Sequence, residues 1–225
     1  MTVLSPVPVA CSLEPINLHN ASEYKELKCQ RTVCAWNFDD DALRGFRENQ
    51  DKGRKAFFWI TITSSAKQTR KSDKNEPTTS PAIPVRAGHI SLDSCSTFND
   101  PDVAVADKSI LTIQTFFILP EYRALGLGRT AMDQVEAMAT REPYGSPRCR
   151  YLTLNTLSKR YIYDEGPEWK GIWERIGVSM PVFSNQVWYE RRGYVVWKEE
   201  PRYPNTVDGA DILLVAAFMR KKVSS

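Results

Sequence analysis

The run ILTIQTFFIL at 110–119 passes directly into PEYRALGLGRTA at 120–131. β-Branched and aromatic residues fill the first segment. In the stretch that follows, Leu127, Ala131, Val135 and Met138 recur at steps of four, four and three. The chain must therefore run from a strand through a tight glycine-bearing turn into an amphipathic helix, the unit of an α/β architecture. Such a turn leaves several backbone N–H groups unpaired at the helix N-terminus. The helix dipole adds partial positive charge there, so the turn favours a phosphate or pyrophosphate. Gly126 and Gly128 have no Cβ, which lets a ligand approach the main chain, and Arg123 adds positive charge. Arg129 either reaches a phosphate or lies on the helix surface.

Elements of the same kind flank this unit. Alternation at 13–18 reads as a first strand. Asn20 with Glu23 resembles a capping box and opens a helix over 21–33. Asp39, Asp40 and Asp41 precede a second helix carrying Leu43 and Phe46, stopped by Gly53. KAFFWITIT at 55–63 is a strand. Residues 64–84 are polar, with almost no hydrophobe, and read as a mobile surface loop; a strand resumes at 87–92. A polar connection at 95–108 leads back to the 110–119 strand. Pro143 ends the helix after the turn, and RYLTL at 150–154 is the next strand. Residues 160–183 read as an insertion. Its Trp169, Ile172, Trp173 and Ile176 fit one helical stripe between Pro167 and Gly177. A helix at 184–192 ends at Gly193, and strands follow at 194–199 and 211–220.

Composition narrows the class. A chain of 225 residues with 42% hydrophobic and 25% charged residues can bury a sizeable core as one domain with insertions, spanning 1–225. A net charge of +3 with short basic clusters argues against a nucleic-acid partner. Five cysteines in no CxxC spacing and only two histidines argue against a zinc site, and no other metal set stands out. Free thiols fit a reducing compartment. The opening MTVLSPVPVACS is a poor secretory leader, and the apolar run at 212–218 is too short to span a bilayer. The expectation is a cytoplasmic enzyme with no membrane partner, monomeric or homodimeric.

The glycine turn admits several readings. GxGxxA at 126–131 fits a relaxed dinucleotide-binding pattern. A nicotinamide site, however, needs an acidic residue about 20 positions on, and SPRCR at 146–150 has none. No GxxxxGK[ST] exists, which excludes a Walker loop. A plain strand-to-helix turn explains one glycine, but not two flanked by arginines.

The segment Pro120 to Gly128 between strand and helix resembles motif A of the GCN5-related N-acetyltransferase (GNAT) superfamily, R/Q-x-x-G-x-G/A. WYERRGY at 188–194 resembles its motif B, in which a tyrosine precedes a Gly-aromatic pair by four residues. The order of elements agrees across most of the chain. The resemblance implies a GNAT fold, with a mixed central sheet of about six to seven strands, one strand pair splayed apart and helices on both faces. It implies acetyl-CoA, or another acyl-CoA, as donor. The backbone N–H groups of Arg123, Ala124, Leu125, Gly126, Leu127 and Gly128 would hold the CoA pyrophosphate, and the main chain at Phe117 and Ile118 would bind the acyl carbonyl. The acceptor would be a small-molecule or peptide amine.

In the same alignment Tyr189 matches the tyrosine beside the CoA sulfur, a general acid for the leaving thiolate; the other reading is a packed core tyrosine. The family's asparagine seven residues earlier is replaced by Val182, and Asn155 is a substitute at the end of its strand. The general base is not evident: 110–119 carries no carboxylate, only Thr112, Gln114 and Thr115. His89, Asp93 or a water leading to a backbone carbonyl are the candidates. His89 also reads as a satisfied structural histidine. Asp39, Asp40 and Asp41 either attract a cationic acceptor or serve the helix N-terminus. Trp169 and Trp173 either wall an acceptor pocket or pack as an ordinary stripe. No cysteine has a visible base partner, so direct attack in a ternary complex is expected. The rival readings are a catalytically silent acyl-CoA-binding module of the same fold and a nicotinamide-dependent oxidoreductase.

Overall fold

The computed structural model describes residues 11–63, 84–96 and 99–223. The loop expected at 64–84 therefore lies, except for Pro84, outside the described residues. Seven strands form one mixed sheet in the order β1-β2-β3-β4-β5-β7-β6. They are β1 (Cys11–Pro15), β2 (Lys55–Thr63), β3 (Pro84–Asp93), β4 (Ile110–Ile118), β5 (Tyr151–Leu157), β6 (Val195–Val207) and β7 (Ala210–Lys222). The helices are α1 (Ala21–Cys34), α2 (Asp40–Asp51), α3 (Leu127–Met138), α4 (Arg160–Tyr163), α5 (Ile172–Arg175) and α6 (Asn185–Glu190). The chain divides into two compact units, and β4 contributes 115–118 to the first and 110–114 to the second.

In the first unit, 1–93 with 115–145, β1, β2 and β3 pair antiparallel. Its core gathers Ile16, Leu18, Leu27, Leu43, Phe57 and Trp59, with Tyr24 and Phe46 packed against them. β1 is shorter than the alternation over 13–18 suggests. Ile16 and Leu18 are core residues beyond the strand, where the Gln50 side chain, not a neighbouring strand, accepts from the Leu18 N–H at 2.9 Å. Asn20 caps α1, accepting from Ser22 and Glu23 N–H groups. Glu23 reaches back one turn further than a capping box requires and accepts from the Asn17 N–H at 2.6 Å. α3 buries Leu127, Ala131, Met132 and Val135. The Gln134 amide pins it to β1, accepting from Leu13 N–H at 3.0 Å and donating to the Cys11 carbonyl at 2.8 Å.

In the second unit, 94–114 with 146–225, β5 pairs antiparallel with β7, and β7 with β6. Both strands of the β6–β7 hairpin are longer than expected. Pro201 and Pro204 suggest a break, yet they sit in an edge strand, where missing N–H donors are tolerated. Asp208 and Gly209, both with positive φ, close the hairpin. The insertion contains α4 and a helix shorter than its apolar stripe predicts, because Gly171 at φ +73° starts α5 only at Ile172. The stripe is nonetheless internal: Trp169 and Ile172 are buried with Tyr161, Val207 and Leu214, and Trp173 and Ile176 pack against them.

Candidate functional site

The first unit carries the glycine turn. β4 ends at Ile118, one turn of 3-10 helix spans Pro120–Tyr122, and α3 begins at Leu127 with Gly126 as its N-cap. Ala124 at φ +62° and Gly126 at φ +78° reverse the chain so that the turn opens outward. The Arg123 N–H bonds back to Pro120, and those of Arg129 and Thr130 bond to Gly126. Between them, the N–H groups of Ala124, Leu125, Gly126, Leu127 and Gly128 have no partner among the described residues. Residues 123–126 are exposed, and a Cβ built on Gly126 meets nothing within 4 Å. This is an open row of donors at the positive end of a helix, fit for a multiply charged anion. Arg123 does not point free: its Nε donates to the Ile118 carbonyl at 3.1 Å, and its guanidinium lies over the Phe117 ring at 5.6 Å. Arg129 is exposed on the first turn of α3.

β4 is distorted just before Phe117 and Ile118. Thr115, a β-branched residue, has φ +49°, a conformation that strains any residue but glycine. β4 and β5 pair in parallel over Ile110–Thr112 with Tyr151–Thr153, whereas β4 continues to Ile118 and β5 to Leu157. On the other side, Gly88 of β3 makes room for the distorted segment. A Cβ there would lie 2.9 Å from Ile118 Cα and 3.1 Å from the Phe117 carbonyl carbon, with the carbonyl oxygen closer still.

Behind Thr115 lies a buried polar network. Thr115 Oγ1 donates to Ser91 Oγ at 2.8 Å, and Ser91 Oγ donates to Asp93 Oδ2 at 3.1 Å. Lys55 Nζ donates to both, at 3.0 Å to Ser91 and 2.5 Å to Asp93. Lys55 and Asp93 are direct partners across β2 and β3. Burial pushes the Asp93 carboxyl up to about 6 against the pull of the Lys55 charge.

His89 is fully buried beside this network. Its Nδ1–H donates to Gln30 Oε1 at 2.9 Å, and its Nε2 accepts from Arg31 at 3.4 Å. Burial, then the Arg31 and Lys55 charges, hold the imidazole well below its usual value and hence neutral. With both nitrogens engaged, His89 fits the structural reading. Asp39 caps α2, accepting from the Ala42 N–H at 2.8 Å. Asp40 pairs with Lys28, and Asp41 with Arg44. All three are exposed at the α2 N-terminus.

The second unit carries Tyr189. Ser184 caps α6, the Lys159 N–H donates to Gln186 at 2.7 Å, and Lys159 Nζ pairs with Glu190 at 2.9 Å, which fixes the helix against the end of β5. The Tyr189 ring meets those of Trp188 and Tyr194 at 5.0 and 5.9 Å between centroids. Burial pushes its phenol well above the usual value, opposed by the Arg192 charge, so it stays protonated at neutral pH. A second phenol, Tyr203, donates to Asn155 Oδ1 at 3.1 Å and orients that exposed amide. Tyr203 too is pushed above the usual value, by burial and by Tyr189. Trp169 and Trp173 belong to the hydrophobic cluster of the insertion. The Trp173 indole N–H donates to the Tyr161 carbonyl at 2.6 Å.

Sequence reasoning did not find Gly88, Ser91, Lys55 or Tyr203. Only Gly88 left a signal there, as a glycine in the interior of a strand.

No protein-family model matches the sequence, and no curated protein matches it. Solved structures do match in fold. NAA60 from Arabidopsis thaliana in complex with acetyl-CoA superposes at a TM-score of 0.53 and 12% identity, over 96% of this chain and 100% of that one. An aminoglycoside 6'-N-acetyltransferase complexed with coenzyme A gives 0.56 and 10%, over 95% and 98%. Mutant forms of the spermidine/spermine N-acetyltransferase SpeG from Vibrio cholerae give 0.53 and 10%, over 95% of each chain. Over nearly the whole chain these matches show the fold alone: the chain has the fold of the GCN5-related N-acetyltransferases.

Proposed function

We propose that this protein is an N-acetyltransferase that moves acetyl from acetyl-CoA to a primary amine by direct attack in a ternary complex. The observation that carries the reading is the row of five unpartnered N–H groups, Ala124 to Gly128, at the open N-terminus of α3. A pyrophosphate supplies the acceptors that such a row lacks. In this reading the main chain of Phe117 and Ile118 binds the thioester carbonyl and stabilises its oxyanion. Arg123 braces that segment through Ile118. Tyr189, held protonated, gives its proton to the leaving thiolate, and Asn155 offers its oriented amide to the donor's arm. Asp39, Asp40 and Asp41 draw a cationic amine toward α2. The free thiols fit a cytoplasmic setting.

Calorimetric titration with acetyl-CoA and with NAD tests the donor. Binding of NAD but not acetyl-CoA would overturn the reading. Acetyl-CoA consumption is then followed with spermidine, an aminoglycoside, an amino acid, an aryl amine and a peptide, with mass analysis of the product. Tight acetyl-CoA binding without transfer to any of them would favour a silent binding module.

A further inference from the structure

The transfer reaction needs a proton acceptor, and β4 itself offers no carboxylate. What stands behind β4 is an ordered series of hydroxyls ending on one. Thr115 Oγ1 donates to Ser91 Oγ at 2.8 Å, and Ser91 Oγ donates to Asp93 Oδ2 at 3.1 Å. All the donors point one way, from the half-buried Thr115 toward a carboxylate only 1% exposed. Thr115 lies two residues before Phe117 on the same strand, at the position where the backbone is strained. The other carboxylate oxygen, Asp93 Oδ1, is buried without a hydrogen-bond partner among the described residues. Under-satisfied in this way, the carboxylate is a stronger base than one in water.

We propose, resting on the acetyl-transfer reading above, that Thr115, Ser91 and Asp93 form a relay that carries the proton away from the attacking amine, with Lys55 positioning the carboxylate. The amine lone pair forms the C–N bond at the thioester carbonyl. The N–H bond then breaks, and its proton passes to Thr115 Oγ1. Thr115 passes its own hydroxyl proton to Ser91, and Ser91 passes its proton to Asp93 Oδ2. Both hydroxyls are regenerated and Asp93 ends neutral. The C–S bond breaks, and the thiolate takes its proton from Tyr189. Asp93 returns its proton to solvent as product leaves, and Tyr189 regains one, so the net change is amine plus acetyl-CoA to amide plus CoA.

The charged groups around Asp93 are compatible with this role. Lys55 faces it from β2, its ammonium packed on the rings of Phe46 and Phe57 at 4.8 and 4.6 Å. Ser91 faces it from its own strand, and Thr115 from β4. His89, further along β3, is neutral, and Arg31 lies beyond it. With Asp93 pushed up to about 6, the carboxylate is ionised at neutral pH and loses its capacity to accept as pH falls through that value.

The test uses the full chain, acetyl-CoA, and the five amines above as acceptor probes. Ser91→Ala cuts the relay while leaving the Lys55–Asp93 pair intact. The expected result is a fall in kcat of ~10²-fold or more at pH 7, with acetyl-CoA affinity unchanged. The deficit should shrink as pH rises toward the titration of the amine itself, whereas distortion of β4 would lower the rate equally at every pH. Thr115→Val should behave the same way, and Thr115→Ser should restore the wild-type profile. Transfer by the wild type with full rate and an unchanged pH profile in both Ser91→Ala and Thr115→Val overturns the relay alone. Acetyl-CoA binding by the wild type with no transfer to any amine overturns the relay together with the transferase reading.

Discussion

Gly88→Ala is a one-methyl change that probes the segment Phe117–Ile118, proposed above to bind the acyl group, without touching it chemically. The new Cβ would lie 2.9 Å from Ile118 Cα and 3.1 Å from the Phe117 carbonyl carbon, with the carbonyl oxygen nearer than either. Carbon atoms rest at about 3.5–4.0 Å. Ile118 Cα must therefore retreat by roughly 0.6 Å, and the Phe117 oxygen by about twice that. All the clashing atoms are backbone, so no side chain can swing aside. Overpacking of this kind destabilises by about 1–3 kcal/mol. The larger effect falls on catalysis, since misplacing an oxyanion-binding main chain by ~1 Å costs on the order of 10²-fold in rate. Purified wild type and Gly88→Ala are compared for kcat, for KM of acetyl-CoA and for melting temperature. Gly45→Ala, within α2 and with nothing within 4 Å of its Cβ, serves as the control. A folded Gly88→Ala protein with wild-type kcat would show that the position of Phe117 and Ile118 does not matter to the reaction, and the assignment of the acyl site would fall with it.

Three further outcomes are expected. Gly126→Val, at φ +78° in an unobstructed exposed turn, should lose about 1–2 kcal/mol to backbone strain. It should also lose at least ~10-fold in acetyl-CoA affinity by calorimetry; an unchanged affinity removes the pyrophosphate role. Tyr189→Phe should lower kcat by ~10²-fold with little change in KM for acetyl-CoA, and a wild-type kcat would reassign the ring to packing against Trp188 and Tyr194. A carbon-13 titration should place the Asp93 carboxyl midpoint at about 6. Because the folded state holds that proton more tightly than the unfolded chain, this contribution to stability is full below the ordinary carboxylate value. It is lost as pH rises through about 6, and is worth at most ~3 kcal/mol. A midpoint near 4 would show that the ion pair with Lys55 outweighs burial.

Much of the fold was legible in the sequence because its signals are local. The strand at Lys55–Thr63, the cap at Asn20 and the stripe of α3 each declare themselves within a dozen residues. The errors arose where tertiary context overrode a local rule. Pro201 and Pro204 should end a strand, and do not, because β6 is an edge. Ile16 and Leu18 continue the alternation of β1 past its end at Pro15; Ile16 still donates to Phe57 of β2, but the Gln50 side chain takes the Leu18 N–H and the Ile16 carbonyl that a longer strand pairing would engage. The helix of the insertion stops short of its apolar stripe because Gly171 takes a left-handed conformation that the periodicity of its neighbours does not reveal.

The candidate site divides along the same line. An anion cradle is built from backbone, and backbone that must turn sharply announces itself through glycine, so Gly126 and Gly128 could be read directly. A proton path is built from side chains brought together by register. Lys55 and Asp93 stand 38 positions apart in sequence yet face each other across β2 and β3, and Ser91 meets Thr115 across 24. No local pattern contains them. Thr115 is the link between the two kinds of information. A residue at φ +49° is expected to be glycine, and a β-branched one there is strained by about 1–2 kcal/mol. Glycine would relieve that strain but could not donate to Ser91. A threonine at this position therefore makes sense if its hydroxyl, and not its conformational preference, is what the site uses.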